Sequence, residues 1–152
     1  MNVTFSATSR EDAHALVEIR VAAMRESLER IGRFDPGRAR EGFLASFEPA
    51  FCRFILVDEV RAGLVQVEPE ADHLLLNHFY IAPAYQGQGV GAIVLRTILA
   101  DAQSRDISVR LKALRDSDSN RFYQRHGFTK TGESEWDIYY VREPVREPGA
   151  TQ

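Results

Sequence analysis

The chain has 152 residues, a formal net charge of −3, 44% hydrophobic residues and 27% charged residues. That length is one domain's worth, and the apolar fraction furnishes a packed core and excludes a disordered chain. The acidic balance speaks against a nucleic-acid partner, which selects a basic surface.

One cysteine, Cys52, excludes an internal disulfide and a cysteine-rich zinc site. His14, His73, His78 and His126 share no metal-ligand spacing, so no metal is expected. No apolar run nears the roughly 18–20 residues of a membrane span, so no membrane partner is expected. The opening MNVTFSATSRED has no basic stretch before an apolar one, which leaves the cytoplasm as the expected location. Lys112 and Lys130 are the only lysines. The remaining basic side chains are arginines, whose planar fork suits local carboxylate and phosphate sites.

Val3-Thr4-Phe5 reads as a short strand. Two overlapping capping boxes follow, Thr8 with Glu11 and Ser9 with Asp12. Ala13, Leu16, Val17, Val21, Met24 and Leu28 then recur at helical spacing, predicting a helix to about Arg30 that ends at Gly32. Asp35-Pro36 starts a second helix bearing Phe43, Leu44 and Phe47, closed by Pro49. The period then changes. Residues 51–57, 63–67 and 73–81 read as strands, with breaks at Asp58-Glu59 and Glu68-Pro69-Glu70 that suit antiparallel hairpins. A helix is expected after Gly91, a strand over 107–111, and a short helix capped by Asp116 or Ser117 and ended by Gly127. Residues 128–131 and 136–141 close the sheet as strands. The expected fold is α/β with a mixed sheet, in the order β-α-α-β-β-β-α-β-α-β-β, with helices on both faces. A single domain over 1–142 is expected, followed by a flexible tail over 143–152 rich in Pro, Gly and charge.

The densest chemical signal is Gln86-Gly87-Gln88-Gly89-Val90-Gly91-Ala92, between a strand and a helix. Glycines let the backbone approach a ligand and turn several N–H groups one way. With a helix N-terminus behind them, these donors make an anion site suited to phosphate. Gly87-x-Gly89-x-x-Ala92 formally fits the dinucleotide pattern G-x-G-x-x-G/A. Context opposes a dinucleotide oxidoreductase: the loop lies past mid-chain and the next strand ends in Arg110-Leu111-Lys112, without the acidic residue that would hold a ribose. The lysine of a P-loop is also missing.

Gln86-x-x-Gly89-x-Gly91 resembles the Q/R-x-x-G-x-G/A acyl-CoA motif of the GNAT superfamily of N-acyltransferases. Ser119-Asn120-Arg121-Phe122-Tyr123-Gln124-Arg125-His126-Gly127-Phe128 is similar to that family's second motif, a short helix with an aromatic-tyrosine pair before Gly-Phe. The resemblance covers about residues 3–142. It implies a strongly twisted central sheet flanked by helices and an acetyl-CoA co-substrate with no metal. It also implies direct acetyl transfer to a primary amine of a small molecule or peptide. By it, Tyr80, Ile81 and Ala82 offer main-chain groups to pantetheine and thioester, and Gln86, Gly87, Gln88, Gly89, Val90, Gly91 and Ala92 cradle the pyrophosphate. Asp116, Ser117 and Asn120 touch the cofactor from another side, and Tyr123 donates a proton to the departing thiolate. A homodimer is an expectation from the resemblance alone.

The base is less legible. Relatives place a glutamate on the strand before the loop, where this chain reads Leu74-Leu75-Leu76-Asn77-His78-Phe79. Alternation puts Asn77 on one face and His78 on the other; both are catalytic candidates, with Asn77 better spaced to face the acceptor. The missing acid leaves a non-catalytic acyl-CoA sensor as the alternative function. The family's acceptor pocket uses the first two helices and last strands, nominating Met24, Glu26, Leu28, Phe34 and Trp136. Arg20 and Arg25 are weighed as carboxylate binders against a solvated helix face.

Overall fold

The computed structural model describes residues 1–146. Its elements are β1 (Val3–Ala7), α1 (Ala13–Arg30), α2 (Pro36–Ser46), β2 (Cys52–Val57), β3 (Val60–Pro69), β4 (His73–Ile81), α3 (Val90–Ser104), β5 (Ser108–Leu114), α4 (Ser119–Arg125), β6 (Thr129–Glu133) and β7 (Asp137–Arg142). This is the order read from the sequence. The seven strands form one mixed sheet in the order β1-β2-β3-β4-β5-β7-β6, with β4 and β5 parallel. The described chain divides into two compact units, Met1–Glu68 with Leu76–Leu95, and Pro69–Leu75 with the residues from Arg96 on.

In the first unit, the Ser9 N–H donates to Asp12 Oδ2 at 2.9 Å, so Ser9/Asp12 is the capping box that forms. It opens a 3-10 turn over Arg10–Asp12 that leads into α1. Asp35 caps α2 by accepting the Arg38 N–H at 3.2 Å, with Pro36 at the first helical position. Strand β3 begins at Val60, three residues before the 63–67 expectation. The cause is the Asp58-Glu59 turn: both residues take positive φ, 48° and 69°, giving a two-residue hairpin loop that lets pairing run up to it. Leu16 and Val17 of α1, Phe43 of α2, Phe47, Cys52 and Phe54 of β2 and Leu64 of β3 make one buried cluster, with Tyr80 packed against it. Burial of apolar surface at about 25 cal/mol per Å² is what holds the two helices on these strands.

In the second unit, the start of β4 pairs with β5 through His73↔Ser108, Leu74↔Val109 and Leu75↔Arg110. Strand β5 outlasts its 107–111 expectation because β7 continues the ladder to Ala113↔Ile138 and Leu114↔Asp137. The cap of α4 is Asp118, not Asp116 or Ser117. Asp116 takes φ +68° in the turn that sends the Ser117 N–H back to the Leu114 carbonyl, which moves the helix start on. Gly127 ends α4 at φ +87°, and His126 Nδ1 donates to the Phe122 carbonyl at 2.8 Å, satisfying a last-turn acceptor. Within the tail expected to fray from residue 143, Gln103 accepts the Val145 N–H at 2.7 Å and donates to its carbonyl at 2.6 Å. Residues 147–152 of that tail lie outside the described residues. No helix among the described residues is long and apolar enough to cross a membrane.

Candidate functional site

The glycine loop links β4 to α3. A 3-10 turn over Pro83–Tyr85 precedes it, and α3 begins at Val90, slightly before the position expected from Gly91. Gly87 and Gly89 take φ +75° and +86°, and a Cβ on either would meet nothing within 4 Å. Glycine is required here for its backbone conformation, and the space beside it stays open. The Gln86 amide donates to the Ile81 carbonyl at 2.8 Å and the Gln88 amide to the Ala84 carbonyl at 3.0 Å. These two side chains tie the loop to the strand it leaves. The first-turn N–H groups of α3, from Val90, Gly91 and Ala92, have no intrahelical acceptor. An open backbone cradle at a helix N-terminus fits a phosphate.

At the end of β4 the approach of β3 is close. The Ala82 N–H donates to the Ala62 carbonyl at 2.8 Å, and a Cβ on Gly63 would run into the Tyr80 carbonyl oxygen. Only glycine fits at 63. Along β4, Leu76 and His78 are buried while Asn77 and Phe79 are half-buried, so the alternation separates Asn77 from His78 as expected.

Each of these two residues is engaged. The Asn77 amide donates to Glu68 Oε2 at 2.7 Å, and the Gln66 amide donates to the same oxygen at 2.8 Å. Gln66 is fully buried; it also donates to the Ser46 carbonyl at 2.9 Å and accepts the Glu48 N–H at 3.0 Å. His78 is buried, with Nε2 2.7 Å from Ser46 Oγ and Nδ1 3.0 Å from the Tyr80 hydroxyl. Its ring packs 4.8 Å from Phe43. Burial pushes the Tyr80 phenol up from its ordinary pKa, and the Arg20 guanidinium, 5.6 Å from the ring centroid, partly offsets this.

Arg20 lies against Gly42, where a Cβ would be 3.4 Å from Nη1. Its Nε donates to Met24 Sδ at 3.3 Å, and its buried Nη1 has no hydrogen-bond partner among the described residues. Of the other residues nominated for the acceptor, Glu26 pairs with Arg30 at 3.6 Å, and Phe34 carries the Arg25 guanidinium 5.1 Å from its ring. The Leu28 carbonyl accepts the Arg33 N–H at 2.8 Å. A cleft of about 180 Å³ is lined by Ala22, Ala23, Arg25, Glu26 and Glu29 of α1 with Pro83 and Gln86.

In the second unit Tyr123 is buried, its ring 5.5 Å from Phe128 and 6.4 Å from Tyr140. The Asn120 amide donates to the Leu114 and Ser117 carbonyls, both at 3.0 Å, and its Oδ1 accepts the Tyr140 hydroxyl at 2.7 Å. Asn120 therefore ties α4 to β5 and β7. The Ser117 hydroxyl donates to the Leu114 carbonyl at 2.7 Å. Trp136 is partly exposed, and its carbonyl accepts the Arg115 N–H at 2.7 Å.

Sequence reasoning did not find Ser46, Gln66 or Glu68. One signal was present for Gln66, a lone polar residue inside the apolar run Gly63-Leu64-Val65-Gln66-Val67. Ser46 carried none, because His78 and Gln66 lie 32 and 20 residues on, and Glu68 read only as part of the Glu68-Pro69-Glu70 break.

Residues 50–130 match the family model described as an acetyltransferase (GNAT) domain, and the chain belongs to that family. Solved structures share its fold. The PaiA N-acetyltransferase of Thermoplasma acidophilum, in complex with coenzyme A, is 16% identical with a TM-score of 0.71, over 94% of this chain and 99% of that one. The ribosomal-protein-S18-alanine N-acetyltransferase of Escherichia coli is 15% identical with a TM-score of 0.71, over 99% of both chains. An acetyltransferase of Thermus thermophilus is 16% identical with a TM-score of 0.73, over 94% of this chain and 97% of that one. No curated protein sequence matches the chain at a significant level.

Proposed function

We propose that the protein is an N-acetyltransferase that moves an acetyl group from acetyl-CoA to a primary amine of a small molecule or peptide by direct attack. The observation that carries this reading is the loop after β4, where Gly87 and Gly89 at positive φ leave an open backbone cradle ahead of α3. Membership of the GNAT family and the coenzyme A complex of the Thermoplasma relative support it. In this reading Gln86 to Ala92 hold the pyrophosphate largely by backbone N–H groups, so a net charge of −3 does not oppose a polyanionic substrate. The main chain of Tyr80 to Ala82 receives pantetheine as an added strand and polarises the thioester carbonyl. Asp116, Ser117 and Asn120 border the cofactor; Ser117 and Asn120 do so through the turn they brace.

The amine attacks the thioester carbonyl and CoA leaves as thiolate. Tyr123, a phenol with a reference pKa near 10, donates a proton to a thiolate whose conjugate acid sits near 8.5. Asn77 spends its amide on Glu68, which leaves its oxygen to orient an ordered water. Met24, Glu26, Leu28 and Phe34 frame the acceptor.

Two measurements test the reading. Acetyl-CoA is expected to raise the Tm and NAD(P) to leave it unchanged; the reverse overturns the proposal. Release of free thiol from acetyl-CoA across an amine panel then separates a transferase from an acyl-CoA sensor, which binds without turnover.

A further inference from the structure

His78 is a buried imidazole with a hydroxyl on each nitrogen. Nδ1 lies 3.0 Å from the Tyr80 hydroxyl, and Nε2 lies 2.7 Å from Ser46 Oγ. The two ends of this chain differ. Ser46 is the last residue of α2, it is exposed, and its hydroxyl also reaches the Gly42 carbonyl at 3.2 Å. Tyr80 is half-buried on β4 under Arg20 of α1. In the reading above, the Tyr80 main chain meets the thioester and α1 frames the acceptor. The Tyr80 hydroxyl thus stands on the strand that meets one substrate, beneath the helix that frames the other.

One hydrogen-bond assignment satisfies every atom. The Tyr80 O–H donates to Nδ1, Nε2–H donates to Ser46 Oγ, and the Ser46 O–H donates to the Gly42 carbonyl. We propose that Tyr80, His78 and Ser46 form a proton path that carries the acceptor amine's proton from the site to water at the end of α2. The inference rests on the transferase reading. Before the N–C bond forms, the ammonium gives one proton to the Tyr80 oxygen while the Tyr80 proton passes to His78 Nδ1, leaving an imidazolium and a neutral amine whose lone pair attacks the thioester carbonyl. The imidazolium gives its Nε2 proton through Ser46 to water, and the two ring tautomers re-equilibrate with solvent once the products leave. No other reactant is consumed. Tyr80 is the end that touches substrate; His78 and Ser46 act through it. This path answers the missing acid of β4, since an alkyl amine with a pKa near 10 arrives protonated at neutral pH.

Groups facing this path include Arg20 from α1, Ser46 and Phe43 from α2, and Gln66 from β3, which bonds the Ser46 carbonyl and Glu68. Arg20 favours the ionised phenol and so eases the first transfer.

The test uses the full chain labelled with ¹⁵N at its histidines, with His78 assigned from His78→Gln. His78 is expected as the neutral Nε2–H tautomer, and both Tyr80→Phe and Ser46→Ala are expected to move its ring shifts. Kinetics follow with an amine found in the thiol-release panel. Tyr80→Phe and His78→Gln are expected to lower kcat about 10²-fold near pH 7 with KM for acetyl-CoA kept, the deficit shrinking as rising pH deprotonates the free amine. His78 ring shifts indifferent to both hydroxyl variants, or a Tyr80→Phe deficit constant with pH, overturn the path. A wild type that turns over with Tyr80→Phe undiminished overturns the path and leaves the transferase reading standing. A wild type that releases no thiol with any amine overturns both.

Discussion

Glu68 Oε2 accepts the Asn77 amide at 2.7 Å, so a carboxylate from β3 stands beside the β4 position where the sequence has no acid. Replacing Asn77 by Asp would set two carboxylates within hydrogen-bond distance. Like charges at that range raise the pKa of the pair in the folded state. The folded chain then binds more protons than the unfolded one, so stability is retained below the unfolded carboxylate pKa near 4 and lost as pH rises through the raised folded value. Asn77→Asp is expected to melt near the wild-type Tm at pH 4 and several degrees below it at pH 8, by thermal denaturation at both. An equal deficit at the two pH values would refute the coupling.

Gly42 illustrates a helix glycine with a packing cause. In a helix interior Gly→Ala normally gains about 1 kcal/mol. Here a Cβ would lie 3.4 Å from Arg20 Nη1, at the tight end of van der Waals contact. Gly42→Ala alone is expected to gain less than that, and in an Arg20→Met background to gain nearly all of it. Urea denaturation of the four chains in this cycle measures the coupling, and additivity would remove Arg20 as the reason for the glycine.

Two other glycines separate stability from binding. Gly63→Ala drives a Cβ into the Tyr80 carbonyl of the neighbouring strand, and is expected to destabilise the fold by about 3 kcal/mol. Gly89→Ala meets no atom within 4 Å but must hold φ +86°, a strain of about 1–2 kcal/mol confined to the loop. Its melting temperature is expected to drop slightly and its stabilisation by acetyl-CoA to fall sharply. Equal loss of ligand response in both variants would argue that the loop is not the phosphate cradle.

Much of this molecule was legible because the signals are local. The spacing of Leu16 and Val17, the Asp35-Pro36 start of α2, the glycines at 87 and 89 and the Gly127 stop each encode their own backbone geometry. The start of β3 escaped because Asp58-Glu59 makes a positive-φ turn without glycine. The extension of β5 depends on β7, a partner more than twenty residues on. The polar network escaped for the same reason. Alternation gives the face on which His78 lies, but that Ser46 meets it is decided by how α2 ends over the strands. Asn120 reads as a ligand contact by motif, and its amide and carbonyl are both spent within the fold.

Cys52 gives a prediction at alkaline pH. Its side chain is buried at the start of β2, and burial pushes the thiol from 9.0 up to about 11, partly offset by a hydrogen bond from Thr8. A raised folded pKa means the folded chain holds a proton that the unfolded chain releases. The associated stability is complete below pH 9 and is lost as pH rises through about 11. The span corresponds to roughly 2–3 kcal/mol at most. Tyr80, also raised by burial, adds a further loss in the same direction at higher pH. Cys52→Ala is expected to cost a little stability at pH 7 by leaving a small void, and to flatten the decline between pH 9 and 11. Urea midpoints at pH 7, 9 and 10.5 measure this, and a decline as steep in the variant as in the wild type would assign the alkaline loss to other groups. The same burial predicts that a thiol reagent labels Cys52 only as fast as the chain opens, so labelling at the free-thiol rate under native conditions would contradict its place in the core.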